Sequence, residues 1–159
     1  MAQASGWPRS YLKTHGIKST AAREAIVAVL VESPGHPSAE DVYTEVHRRL
    51  PAVGLTTVYR TLHLLARKGL AYRFDFGDGR ARYELADKPE GCRHHHHLVC
   101  SQCQTIIDYT DFLDEELDLV RRTESLLTKR YSFDIKNHVM QFYGVCEECR
   151  RRKKERRDD

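Results

Sequence analysis

Four cysteines stand in two pairs, Cys100-x-x-Cys103 and Cys146-x-x-Cys149. A two-residue spacing lets both sulfurs of one turn face a single ion. Two such turns supply four thiolates, the full tetrahedral shell of zinc. A shell of four thiolates leaves no open coordination position, so the expected zinc is structural and not catalytic. Rubredoxin-like iron or an iron–sulfur cluster takes the same donors and is the lesser reading. The fifth cysteine, Cys92, has no neighbour at this spacing. It fits a plain thiol, a redox-sensitive thiol or an extra ligand.

Ahead of the first pair runs His94-His95-His96-His97. In extended chain, alternate side chains point to opposite sides. His94 and His96 then face one way, His95 and His97 the other, and one run feeds two separate metal sites. Each pair needs further donors. For His95 and His97 the candidates are His36, Glu84 and Asp108. For His94 and His96 they are His138 and one carboxylate among Asp111, Asp114, Glu115 and Glu116; Glu115 is selected by its distance from Asp108. Nitrogen and carboxylate donors suit divalent iron, manganese, zinc, cobalt or nickel. No His-Glu-x-x-His pattern accompanies them, which argues against a zinc hydrolase.

The elements that must position these residues fall into two halves. The 159 residues suit one or two small domains, and 40% apolar content is enough for a modest core. A net charge of +3 says little about partners. The run Arg150–Arg157, with Glu155 as its one interruption, reads as a solvated or phosphate-contacting tail. No segment reaches the roughly 18 apolar residues of a membrane helix, and no signal-peptide core opens the chain, so a cytoplasmic protein is expected. In that compartment paired cysteines favour metal over disulfide.

Residues 1–86 read as helices followed by a hairpin. Thr20 caps a helix carrying Ala22, Ile26, Val29 and Leu30 on one face. Ser38 and Asp41 form a capping-box pattern before Val42, Val46 and Leu50. Thr56 or Thr57 opens a third helix that runs to about Lys68, with Gly69 at its C-terminal cap. Two alternating segments then flank Gly77-Asp78-Gly79, a hairpin turn. This order is that of a winged helix-turn-helix. The third helix has the layout of a recognition helix, with Val58, Leu62 and Leu65 behind and Thr56, Thr57, Tyr59 and Arg60 at its start.

Residues 87–93 read as a hinge around Pro89 and Gly91, residues 94–150 as a metal-binding α/β domain and residues 151–159 as a basic tail. The second domain reads strand, strand, helix, strand. So small a sheet cannot bury both faces alone, and pairing with a second copy is expected. The fold class is therefore α+β.

From about Tyr11 to Arg150 the chain resembles the ferric uptake regulator (Fur) family. The matching segments are Pro37–Tyr43, Gly54-Leu55-Thr56-Thr57-Val58-Tyr59-Arg60-Thr61-Leu62, Tyr83-Glu84-Leu85, His94–Cys103 and Tyr143–Cys149. The resemblance implies a bacterial cytoplasmic homodimer, with assembly to a tetramer left open. Its N-terminal winged helix would bind double-stranded operator DNA, and its C-terminal domain would dimerise. Tyr59 and Arg60 would contact the major groove and Lys18 an adjacent minor groove. His36, Glu84, His95, His97 and Asp108 match a regulatory site, and His94, His96 and His138 a further one, with His96 standing where the family usually has aspartate. The implied function is a metal-dependent transcriptional repressor, ferrous iron being the first expectation for the effector. Manganese, zinc, nickel or peroxide sensing are the alternatives, and a zinc-ribbon interaction protein that reads no DNA is the distant one. Glu84, where peroxide sensors tend to carry aspartate, points toward metal uptake.

Overall fold

An unforeseen helix comes first. In the computed structural model, which describes residues 6–77, 79–87, 89, 95–136 and 138–158, α1 (Trp7–Thr14) precedes the three expected helices. Pro8 sits in its first turn, where a missing N–H costs little. Trp7, Tyr11 and His15 follow at one-turn spacing with ring centroids 4.5 and 4.7 Å apart. The buried Tyr11 hydroxyl donates to the Leu70 carbonyl at 3.0 Å, which ties α1 to the chain just ahead of the hairpin.

Helix α2 (Ala21–Glu32) begins at Thr20, whose side chain accepts from the Arg23 N–H at 3.3 Å. Helix α3 (Ala39–Arg49) carries the complete capping box: Asp41 N–H donates to Ser38 Oγ at 3.2 Å, and Ser38 N–H donates to the Asp41 carboxylate at 2.9 Å. Helix α4 (Leu55–Arg67) starts one or two residues before the expected threonine caps. Gly54 is its N-cap and makes no side-chain capping bond, so Thr56 and Thr57 lie inside the first turn. Its end is as expected. Gly69 takes φ +70° and donates to Ala66 O at 3.0 Å, while Leu70 donates to Leu65 O at 2.9 Å. That pair of bonds is the Schellman arrangement.

Strands β1 (Ala71–Asp75) and β2 (Ala81–Leu85) pair antiparallel with Ala71 opposite Leu85. Ile26, Val27, Val42, Val46, Val58, Leu62, Leu65 and Leu85 are buried in one core. At about 1.5–3 kcal/mol for each large apolar side chain taken from water, this core is what holds α4 against its neighbours.

The chain divides into two compact units, Met1–Cys92 and Arg93–Asp159. In the second, β3 (His96–Cys100) is the central strand, antiparallel to β4 (Ile106–Tyr109) and parallel to β5 (Gln141–Gly144). A parallel neighbour needs a crossover, and α5 (Leu113–Tyr131) supplies it. Of the extended stretch expected from Tyr131 to Tyr143, the part that pairs among the described residues is Gln141–Tyr143, with Gly144 completing β5. The residues expected to trail as a basic tail continue instead as α6 (Glu147–Asp158). Helix α5 buries none of its residues, and Leu98, Ile107 and Phe142 on the sheet remain 43–50% exposed. An uncovered apolar surface of this kind marks an interaction face. No helix among the described residues is long and apolar enough to cross a membrane.

Candidate metal centres and nucleic-acid face

The parallel pairing of β3 and β5 explains how cysteines 43 residues apart meet. Cys100 lies opposite Gly144, so both strands end at the same edge of the sheet and each runs into its Cys-x-x-Cys turn. The first turn is closed by Gln104 N–H donating to Cys100 O at 2.8 Å, with Gln104 at φ +60°. The second is the start of α6, where Arg150 N–H donates to Cys146 O at 3.0 Å. Ser101 N–H donates to Gly144 O at 2.8 Å and stitches the two turns together.

All four sulfurs lie within 4.8 Å of one another and none is in a disulfide. Cys103 Sγ and Cys146 Sγ are 3.7 Å apart. A tetrahedral zinc with Zn–S bonds of about 2.3 Å sets its sulfurs about 3.8 Å apart, so the donor set fits the ion. The backbone N–H of Cys146, with those of Cys103 and Gln102, pulls the Cys100 thiol down to about 6. The Cys146 thiol beside it pushes Cys149 up to about 12. Backbone donors thus prepare one thiolate, and crowding resists ionising another until a cation arrives.

In the first unit His36 and Glu84 form a buried pair, Nε2 to Oε2 at 3.2 Å. His36 comes from the loop before α3 and Glu84 from β2. That loop is laced to the strand: Tyr83 N–H donates to Pro37 O at 2.9 Å, Arg82 Nη1 donates to His36 O at 3.4 Å, and Ser38 bridges to Arg82. Phe74 and Phe76 stand edge-on to the imidazole at 5.0 and 5.5 Å. Their apolar walls were not anticipated as part of the site, although the alternation of Phe74 and Phe76 is visible in the sequence.

In the second unit the alternation of the histidine run holds over its described part. His95 and His97 have ring centroids 5.1 Å apart. His97 lies across the ladder from Asp108, with Nε2 to Oδ1 at 3.9 Å. His96 meets other partners: Glu116 Oε2 at 3.1 Å from its Nε2, and the His138 ring at 6.0 Å. His138 in turn reaches Glu124 at 3.1 Å. Burial lowers the His96 pKa, against the pull of Glu116, and a neutral imidazole is the form that binds metal. His94 and Cys92 lie outside the described residues.

The carboxylate at His96 is Glu116 and not Glu115, which is exposed. Distance along the chain from Asp108 pointed to Glu115, but which carboxylate faces His96 is set by the rotation of the helix. Helix α5 begins at Leu113, after Phe112 in the left-handed region. With 3.6 residues per turn, adjacent residues differ by about 100°, so a one-residue slip presents a different face. Glu124 was missed because it lies two turns beyond the acidic stretch that drew notice.

The DNA-contact candidates all belong to the first unit. Lys18, Thr56, Thr57, Tyr59 and Arg60 are exposed, while Val58, Leu62 and Leu65 behind them are buried. Tyr59, Arg60, His63, Leu64 and Arg67 line a shallow groove along α4. One acid enters this face unforeseen: the Tyr59 hydroxyl donates to Glu40 Oε1, from the first turn of α3, at 2.5 Å.

The ferric uptake regulator family model matches residues 14–143. The chain is 41% identical over 143 residues to the ferric uptake regulation protein of Bacillus subtilis (strain 168), covering 89% of this chain and 91% of that protein. It is 30% identical over 139 residues to the peroxide-responsive repressor PerR of Staphylococcus epidermidis, covering 87% and 85%. The solved structure of the ferric uptake regulator from Pseudomonas aeruginosa with manganese superposes at a TM-score of 0.70 and 30% identity, covering 88% and 98%. The winged-helix order, the paired cysteines on one sheet edge and a match spanning most of the chain agree: the protein belongs to the ferric uptake regulator family.

Proposed function

We propose that this chain is a metal-responsive transcriptional repressor, a homodimer that binds operator DNA when ferrous iron occupies its regulatory site. The observation that carries the reading is the division of donors. The first unit holds a buried His36–Glu84 pair at the base of the wing, and the second holds His95 and His97 beside Asp108. Neither set alone completes an octahedral or tetrahedral shell, and nitrogen with carboxylate suits divalent iron. His36, Glu84, His95, His97 and Asp108 together would hold one ion.

A divalent ion there supplies charge to neutralise two carboxylates and a common point of attachment for both units. Glu84 and His36 report that attachment to the winged helix, because backbone bonds fasten the His36 loop to β2. A ligand that binds the closed arrangement better shifts the population toward it. In a dimer that closure fixes the spacing of two α4 helices, and operator half-sites are read only at a matching spacing. Thr56, Thr57, Tyr59 and Arg60 would enter the major groove and Lys18 the adjacent minor groove. Cys100, Cys103, Cys146 and Cys149 would hold structural zinc. His96, Glu116 and His138, with His94 from the run, form the additional site of this reading.

The family's members are transcription regulators, which supports a non-enzymatic role. The relatives include ferric uptake regulation proteins and peroxide-responsive repressors, so two effectors compete. The test is anaerobic operator binding. Protein retaining its cysteine-bound zinc is titrated with iron(II), manganese(II), zinc(II) and nickel(II) against an AT-rich palindrome and a scrambled duplex, at fixed salt because phosphate contacts are salt-sensitive. Iron(II) is expected to induce specific binding at the lowest free concentration, and hydrogen peroxide is expected to leave the protein's histidines unmodified. Specific binding without any added metal would refute the repressor mechanism, and peroxide-induced histidine oxidation with loss of binding would favour the peroxide-sensing alternative.

A further inference from the structure

Within the basic face of α4, Tyr59 is held by an acid. Its hydroxyl donates to Glu40 Oε1 at 2.5 Å, across 19 residues of sequence, although both side chains are exposed. Helix α3 does not need Glu40 as its cap, because Ser38 and Asp41 already close the capping box. A carboxylate bonded to Tyr59, which lines the groove with Arg60, His63 and Arg67, repels DNA phosphates, so as a bare charge it works against binding. A first-turn acid suits the N-terminus of α3, but that does not call for the bond to Tyr59. The contact lowers the Glu40 pKa and raises that of Tyr59, so carboxylate and neutral phenol persist together across the ordinary pH range.

We propose that Glu40 is a positioning residue for DNA reading: by taking the Tyr59 hydroxyl, it fixes the phenol so that the ring, and not the hydroxyl, is offered to the base edges. This deepens the reading of α4 as the DNA-contacting helix and rests on it. Two physical arguments support it. A side chain ordered before binding loses less freedom on contact. A hydroxyl already donated to a carboxylate is withheld from phosphate oxygens, which every sequence offers alike. What remains is an apolar ring, and apolar contact with base edges discriminates among sequences. The repulsion from the Glu40 charge falls on all duplexes equally, whereas the ring contact forms only on the matching one.

The experiment uses the full chain, loaded with the metal that supports binding in the titration above. Affinities for the palindrome and for the scrambled duplex are measured by anisotropy for wild type, E40A, E40Q, Y59F, Y59A and E40A/Y59F, with thermal unfolding to establish that each folds. E40A is expected to lower the operator-to-scrambled ratio by about threefold to tenfold, the worth of fixing one side chain in advance. Y59F keeps the ring but loses the anchor, so it should match E40A, and the double variant should lose no more than either. E40Q still accepts the hydroxyl and should restore the ratio. A ratio that rises in E40A would make the contact a latch that restrains Tyr59, and would overturn the proposal. So would equal effects of E40A in the wild-type and Y59F backgrounds, or an unchanged ratio in both E40A and Y59F. If Y59A leaves operator affinity untouched, Tyr59 reads no DNA and the underlying reading falls as well. If Y59A weakens binding but E40A and Y59F do not, only the role of Glu40 falls.

Discussion

A thiol binds zinc as its thiolate, so each cysteine that is protonated at the working pH must release a proton when the ion enters. The four sulfurs here do not start alike. Cys100, near 6, is already ionised at neutral pH, whereas Cys149, near 12, is not. Zinc loading at about pH 7.5 should therefore release fewer than four protons. The number should rise as pH falls through about 6, where Cys100 gains its own proton, so affinity should drop more steeply with falling pH below that value. Calorimetry in buffers of different ionisation enthalpy measures this directly. Four protons released at pH 7.5 would show that the backbone N–H groups around Cys100 do not hold a thiolate.

Among the elements, α4 depends most on its end. Gly69 sits at φ +70°, a conformation open to glycine and strained for residues with a Cβ. No atom lies within 4 Å of where a Cβ would be, so the strain is in the backbone alone. Gly69→Ala should cost about 1–2 kcal/mol in urea unfolding, and a change below about 0.3 kcal/mol would contradict the assignment. This cap was legible because glycine after a basic-ended helix is a strong signal. So were the Ser38–Asp41 box and the buried face of α4, which follow from local chemistry and a 3.6-residue period. Helix α1 was not, because its apolar positions are few and Pro8 breaks the pattern. Nor was α6, whose charged sequence has no apolar face; it begins where the second cysteine pair turns the chain. The same limit explains Glu115 and Glu116: an acidic cluster is visible in sequence, but the member that faces His96 depends on how α5 is rotated against the sheet.

At the scale of the whole molecule, the cysteine site and the alternation of the histidine run could be read from spacing alone, since two-residue turns and extended chain fix the directions. Partners drawn from distant elements needed the fold: His36 meets Glu84 only because the loop before α3 is hydrogen-bonded to β2. The second unit leaves Leu98, Ile107, Phe142 and much of α5 uncovered, which agrees with a family of dimeric regulators. In the proposed mechanism, donors from both units would act on one ion, and that ion would govern DNA affinity. The most direct test is a double-mutant cycle across the two units, with Glu84→Ala, His97→Ala and the double variant each titrated with metal in the presence of operator. Two ligands to one ion are coupled, so each single change should abolish most of the metal response and the double should lose little more. Zinc content should stay at wild-type level in all three. Additive losses, or a full metal response surviving in either single variant, would mean that the two units do not share a regulatory ion.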